Sequence, residues 1–400
     1  MKKLLLEYKY INPEEATRIR QFKYQGGSVS ILYEYLWSPL CQFLVEKLPK
    51  TIAPNTITII AFFQHFIVHL LMVYYSPDLK QQVPGALLFI QGLSTLAYQI
   101  LDNMDGKQAR RTGASSPLGM LFDHFLDSCN SWVLGLNFLI CMGTGYSRIV
   151  LFATLINCYI VFFIAMLSQY YKGVLILARV NGVDEGLPVL WGLHIFTAFV
   201  GVNFWQQQAF SGISVGEVLA LVLILVGIKE VVQFLHMIFN DVCYIQLTKE
   251  EEKHIFSLAH KIKSLVPCVL LFLVFASFAL AGNDEYFYQN YCYYVFVVIM
   301  GMLFSKVTLH VQIAHLSNDI GFKQMRYSFV LVSFIIIINN VSRLFLGENF
   351  WSFGTTMILL FIYSFITFWH TCVNVVIQLS QILKIQVFSL KYLEQQDKKN

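Results

Sequence analysis

Residues 101–128, "LDNMDGKQARRTGASSPLGMLFDHFLDS", place Asp102, Asp105, Asp123 and Asp127 between apolar runs. An ionised carboxylate near the centre of a membrane helix costs roughly 2.5–3.5 kcal/mol on an insertion scale, so four of them need a physical reason. Asp102 and Asp105 are spaced i, i+3, and Asp123 and Asp127 i, i+4, so each pair projects from one face of its own helix. The short loop between the pairs predicts a helical hairpin with the carboxylates converging at its mouth. Like charges that close in a low dielectric push protons back on unless cations intervene. Oxygen ligands of this kind suit Mg²⁺ or Mn²⁺, which a few carboxylates hold together with substrate phosphates.

The flanking residues fit a phosphate-bearing ligand. Gly106 follows Asp105, Ala109 lies one turn beyond Asp105, and Gly119 lies one turn before Asp123, which leaves room on the same faces. Lys107, Arg110 and Arg111 add positive charge beside them.

The rest of the chain is membrane-like. Of its 400 residues 56% are hydrophobic and 13% charged, with a mean hydropathy of +0.59. That leaves too little polar surface to cover a soluble globule. Apolar runs predict about ten transmembrane helices, near 55–75, 85–106, 118–142, 147–170, 187–205, 216–239, 265–282, 290–312, 327–346 and 351–382. The expected fold is an all-α polytopic membrane protein. Of the 28 Lys and Arg residues, 23 fall in the tails and in the loops on the side of the aspartates; Lys80 and Arg148 lie in the opposite loops. The positive-inside rule then places both termini and the 107–117 loop in the cytosol.

Residues 29–48, "VSILYEYLWSPLCQFLVEKL", are apolar but broken by Glu34, Ser38, Pro39 and Glu46, which predicts an interfacial helix. Residues 248–264 read as a charged connector. The opening "MKKLLLEYKY" has an apolar run too short for a cleavable signal peptide, so the N-terminus is expected to be retained. The eight cysteines show no CxxC spacing and predict no disulfide. This gives three parts: a cytosolic N-terminal segment (1–54), a transmembrane domain (55–382) and a cytosolic tail (383–400).

The aspartates obey D-x2-D-G-x2-A-R-x8-G-x3-D-x3-D at every fixed position, and on that signature the chain resembles the CDP-alcohol phosphotransferase (CDP-alcohol phosphatidyltransferase class-I) family. "DGKQARRTGASSPLGMLFDHFLDS" is similar to the eukaryotic choline/ethanolamine phosphotransferase branch, as are "YKYINPEE", "FKYQGGSVSILY", "APNTIT" (53–58), "ARVNGVDEGLPVL" (178–190) and "GMLFSKVTLHVQIAHLS" (301–317).

The resemblance implies a ten-helix enzyme of the endoplasmic reticulum or Golgi membrane. It would use Mg²⁺ or Mn²⁺ to transfer phosphoethanolamine from CDP-ethanolamine to diacylglycerol, giving phosphatidylethanolamine and CMP. CDP-choline, or both donors, is the alternative. Asp102, Asp105, Asp123 and Asp127 would be metal ligands, and Asn55, Gly106, Ala109, Arg110 and Gly119 would shape the nucleotide and phosphate pocket. His124, beside the metals, would take the proton of the acceptor hydroxyl, with Asp127 the next candidate base. Asn181 and Glu185 would approach the substrate.

A homodimer is allowed, and no nucleic-acid partner is expected. Another acceptor alcohol, such as inositol or glycerol phosphate, would keep the chain within the family. A transporter using the carboxylates as an ion pathway is the rival reading from a different class. His65 and His69, one turn apart, read as a satisfied helix face. Two departures from the branch pattern stand out: Met120 occupies the place of a glutamate, and Phe125-Leu126 replace a glycine-containing pair.

Overall fold

The computed structural model describes residues 8–23, 26–28, 30–144, 147–240, 257–281, 291–319 and 327–390. The expected retention of the N-terminus, Cys243, most of the 248–264 connector and the last ten residues of the tail fall outside them. The seven described cysteines are all free thiols.

The first helix among the described residues is α1 (Pro13–Gln21), whose N-terminus is closed by a capping box between Asn12 and Glu15. A short strand, β1 (Gly26–Ser28), pairs in parallel with β2 (Leu175–Leu177). The expected interfacial helix is a π-helical turn over Tyr33–Trp37 that runs into α2 (Ser38–Lys47). Then follow α3 (Pro54–Tyr75), α4 (Gly85–Thr112), α5 (Pro117–Met142) and α6 (Arg148–Lys172). A π turn (Gly182–Gly186) leads into α7 (Leu187–Val200). A small hairpin of β3 (Gln208–Phe210) and β4 (Ile213–Ser214) precedes α8 (Val215–Asn240). The remaining helices are α9 (Leu258–Ser264), α10 (Val266–Ala281), α11 (Cys292–Ser317), α12 (Tyr327–Leu346) and α13 (Phe353–Leu383).

The protein is an all-α integral membrane protein. Among the described residues nine helices are long and apolar enough to cross a bilayer. The tenth expected span, near 85–106, is α4, a continuous 28-residue helix that ends in "DNMDGKQARRT". The charges of its last turns and the polar residues of its buried face keep it out of the nine.

Burial runs opposite to that of a soluble helix. On α3, Ile60, Phe63, Ile67, Leu70 and Tyr74 form an exposed apolar stripe, whereas Asn55, Thr58, His65 and His69 are buried. Polar groups kept inside and hydrocarbon presented outside are what a lipid solvent selects. His65 Nδ1 lies 2.7 Å from Asn130 Oδ1 and His69 Nδ1 2.7 Å from Asn137 Oδ1, so this pair is a hydrogen-bonded helix face.

The two central helices are α5 and α11: 83% and 78% of their apolar stretches are buried within the protein, against 22% for α8. Around them α3 packs on α4, α4 on α7, α6 on α8, and α11 on α13. The α4–α7 contact depends on Gly92, where an added Cβ would sit 2.9 Å from the Trp191 carbonyl oxygen. The 113–116 turn between α4 and α5 needs only four residues because Gly113 adopts φ +68°, a left-handed helix cap that suits glycine. Ser116 then caps α5 by accepting from the Gly119 amide at 3.1 Å, and Pro117 fills its first turn. The expected hairpin is thus built by cap chemistry at both ends of its loop.

Candidate active site

The hairpin brings the C-terminal turns of α4 against the N-terminal turns of α5, and a cavity of about 380 Å³ opens there. Asp102, Asp105 and Asp123 line it, with Asn55, Gly106, Ala109, Arg110, Gly119, Met120 and His124. Asp102, Asp123 and Asp127 each offer a carboxylate oxygen, and these atoms lie within 4.8 Å of one another. The fourth carboxylate is held differently: Asp105 accepts a 2.5 Å hydrogen bond from the buried hydroxyl of Thr58 on α3. Asp127 accepts from the Tyr98 hydroxyl, one turn before Asp102 on α4.

This donor set fits a divalent metal. The oxygens are hard ligands, and Asp123 Oδ1 is buried without a hydrogen-bond partner, an arrangement whose cost a cation would remove. Asp102, Asp123 and Asp127 would hold such an ion, with Asp105 on the same wall of the cavity.

Of the three basic residues expected at the mouth, Arg110 alone lines the cavity. Lys107 Nζ donates to Ser38 Oγ at 2.9 Å and lies over the Tyr33 ring. Arg111 donates to the carbonyls of Val45 and Leu48, both at 2.7 Å. These two cations fasten α2 to α4 and so place Tyr33 on the cavity wall. Gly106 lies beside the Arg110 guanidinium, where a Cβ would make an ordinary contact at 3.5 Å from Nη1. Cys41, on the buried face of α2, has its thiol pushed up to about 11 by burial, against the opposing pull of Lys107.

His124 is buried and lines the cavity. Its Nδ1 lies 3.4 Å from Gln312 Oε1 on α11, and Gln312 Nε2 in turn donates to Gln169 Oε1 on α6 at 3.3 Å. Met120 sits beside the same network, with Gln169 Nε2 3.9 Å from its sulfur. Phe125 packs on Phe368 of α13 at 5.6 Å between centroids, so the bulk that replaces glycine here fills a contact between α5 and α13.

Asn181 and Glu185 do not line this cavity. Asn181 Oδ1 caps the π turn by accepting from Val183 N and Asp184 N, both at 2.8 Å. Glu185 accepts from Ser30 Oγ at 2.6 Å, from Leu32 N at 3.2 Å and from Asn181 N at 2.9 Å. Their carboxamide and carboxylate organise the "NGVDEG" loop and tie it to the segment that carries Tyr33.

Several residues of the site were not singled out in the sequence. Thr58 lies one turn after Asn55 and Tyr98 one turn before Asp102, so helical spacing alone would have found them. Gln312 and residues 385–390 carry no such signal. Ile385, Gln386, Val387, Ser389 and Leu390 line the cavity from beyond the last helix, and the Val387 carbonyl accepts from Asn55 Nδ2 at 2.9 Å.

Fold and site together define a polytopic helical membrane protein with a carboxylate-lined pocket whose aspartate cluster could hold a metal ion. Comparison with known proteins agrees. Residues 51–228 match the family model for CDP-alcohol phosphatidyltransferase. An uncharacterised CDP-alcohol phosphatidyltransferase class-I family protein of Dictyostelium discoideum is 29% identical over 390 residues, which span 96% of this chain and 97% of the relative. Cholinephosphotransferase 1 of Danio rerio is 28% identical over 382 residues, spanning 93% and 94%. Ethanolaminephosphotransferase 1 of Homo sapiens is 32% identical over 209 residues, about half of each chain at 50% and 52%. The chain thus carries a CDP-alcohol phosphatidyltransferase domain over residues 51–228, and its eukaryotic relatives include proteins named as choline- and ethanolaminephosphotransferases.

Proposed function

We propose that the protein transfers phosphoethanolamine from CDP-ethanolamine to diacylglycerol, yielding phosphatidylethanolamine and CMP. The observation that carries this reading is the approach of Asp102, Asp123 and Asp127 oxygens to within 4.8 Å, beside a cavity that Arg110, Gly106 and Ala109 also line. A divalent cation, Mg²⁺ or Mn²⁺, would supply charge neutralisation at the pyrophosphate when bound.

The chain's own groups do the rest. Arg110 faces the phosphates, and Gly106, Ala109 and Gly119 leave space for the nucleotide beside Asn55. Thr58 and Tyr98 fix the orientation of Asp105 and Asp127 by hydrogen bonds. With Gln312 Oε1 opposite Nδ1, the His124 ring donates from Nδ1 and keeps its Nε2 lone pair for the acceptor. The acceptor hydroxyl oxygen attacks the β-phosphorus as His124 takes its proton. The bond from that phosphorus to the oxygen bridging the two phosphates breaks, and CMP leaves.

The positive residues clustered with the hairpin loop favour a cytosolic site, and the resemblance to the CDP-alcohol phosphatidyltransferase family favours the endoplasmic reticulum or Golgi membrane. A second reading, CDP-choline as donor or both donors together, is favoured by the near full-length match to a cholinephosphotransferase.

Purified protein in lipid, given diacylglycerol and an equimolar mixture of labelled CDP-ethanolamine and CDP-choline, tests both. The proposal expects labelled phospholipid and CMP in equal amounts, chiefly with the ethanolamine headgroup. A several-fold excess of the choline product transfers the assignment to the second reading, and CMP without lipid product overturns the transfer.

A further inference from the structure

The last helix does not end the site. At the C-terminus of α13 the Lys384 backbone turns left-handed, with φ +57°. The reversal is closed by the Ile385 amide on the Ser380 carbonyl at 3.1 Å and by Ser380 Oγ on the Ile385 carbonyl at 2.6 Å. The chain is thereby sent back across the pocket mouth instead of away from it. The Phe388 ring packs edge-on against Phe122 of α5, 5.8 Å between centroids, and the Val387 carbonyl takes the Asn55 amide of α3.

The base of this strap is anchored from the other end of the sequence. Gln378 Oε1 accepts from the amides of Tyr10 and Ile11, at 3.0 and 3.2 Å, while Gln378 Nε2 donates to the Tyr8 carbonyl at 2.8 Å. Arg20 Nε donates to the Ile382 carbonyl at 3.1 Å.

We infer that residues 385–390 are a wall of the donor pocket, holding Asn55 in place and gripping the nucleotide half of the CDP-alcohol. The inference rests on the function proposed above. With the strap in place the cavity keeps about 380 Å³, inside the range of roughly 300–1,000 Å³ common for ligand pockets. The strap therefore bounds the site and does not fill it. The Val387 bond engages the Asn55 amide nitrogen only. Asn55 Oδ1 stays directed at Gly119, where a Cβ would lie 3.5 Å away. Gln386 on the same wall brings a carboxamide, a donor and an acceptor suited to the edge of a pyrimidine.

The test compares truncation after Lys384 with truncation after Leu390, and adds Phe388→Ala and Gln386→Ala, in initial rates with CDP-ethanolamine and diacylglycerol varied separately. Truncation after Lys384 is expected to raise the KM for the CDP-alcohol at least tenfold and to leave the KM for diacylglycerol within twofold. Truncation after Leu390 should keep the donor KM within twofold of wild type, and each point variant should raise it about threefold. An unchanged donor KM after truncation at Lys384 overturns the wall. A lower one also overturns it, since the strap would then be an obstacle, and so does an equal rise on truncation after Leu390. If the shorter chain does not fold, the two point variants decide, and a donor KM within error of wild type in both refutes the inference. Wild-type protein assayed in parallel separates the two claims: failure of wild type to form phospholipid refutes the reaction, and normal wild-type transfer with unaffected variants refutes the wall alone.

Discussion

His124 Nδ1 faces Gln312 Oε1 across 3.4 Å, joining α5 to α11 over 188 residues of sequence. Because Gln312 Nε2 is directed to Gln169, its oxygen is the end left for the histidine. On the proposed function, Gln312 would act through His124 as a positioning residue. Gln312→Leu should lower kcat about 10–100-fold, as loss of an orienting partner does, with the KM for CDP-alcohol within twofold. Gln312→Glu, which keeps an acceptor oxygen, should recover most of the rate. Steady-state kinetics of the two variants check this, and equal losses in both would reduce Gln312 to packing.

His124→Ala should lower kcat roughly 10²–10⁴-fold, the usual loss of a general base. Binding of the CDP-alcohol should persist, because its expected contacts lie with Arg110 and the carboxylates. Equilibrium binding of labelled donor, measured beside the rate, separates the two. A near wild-type rate would move the base to another group, with Asp127 the next to test.

Thr58→Val keeps the shape of α3 but removes the donor at 2.5 Å from Asp105. Hydrogen bonds to charged groups are worth roughly 1.5–3 kcal/mol, so Asp105 should lose its fixed orientation. The variant should need a higher Mn²⁺ or Mg²⁺ concentration for half-maximal rate, by about tenfold or more. A metal titration of activity gives the answer, and an unchanged midpoint would mean that the Thr58 bond does not tune the site.

Gly92→Ala should destabilise the bundle by about 1–3 kcal/mol, the cost of overpacking, because its Cβ would press on the Trp191 carbonyl at 2.9 Å. Gly192→Ala, which meets nothing within 4 Å, should be neutral. Thermal unfolding in detergent compares them. Equal midpoints would contradict the close α4–α7 approach.

Cys41 should resist alkylation. Its thiol, pushed up to about 11 by burial, is protonated at neutral pH, and the thiolate is the reactive form. Maleimide labelling at pH 7.5 should be slow and should quicken as pH rises toward 11. Fast labelling at neutral pH would mean that α2 does not pack on α4 as described.

What was legible in the sequence is what helical spacing encodes. The i, i+3 and i, i+4 aspartates, the small residues between them and the short loop are all local. They suffice to place the hairpin, and the apolar runs suffice for the spans. Even α4, whose charged end dilutes its apolar signal, was among the spans so expected. Lys107 and Arg111 were expected at the pocket mouth but are bonded to α2; charge alone does not say which way a side chain turns. Asn181 and Glu185, expected near the substrate, do not line the cavity and make hydrogen bonds that hold a turn together. Gln312 and the 385–390 strap stayed hidden because their partners, His124 and Asn55, lie 188 and 332 residues away. No period of 3.6 reports a contact made only by tertiary packing.

The central claim is that the carboxylate cluster and a divalent cation together carry phosphoalcohol transfer. The most direct measurement is labelled phospholipid formed from CDP-ethanolamine and diacylglycerol by wild type and by Asp102→Ala, Asp123→Ala and Asp127→Ala, each with Mn²⁺ or Mg²⁺ and with chelator. The account predicts product from wild type with metal and a loss of at least tenfold on chelation. It predicts no more than a few per cent of the wild-type rate in each variant at saturating donor. Metal-independent transfer by wild type, or retention of more than a tenth of its rate by all three variants, would contradict it.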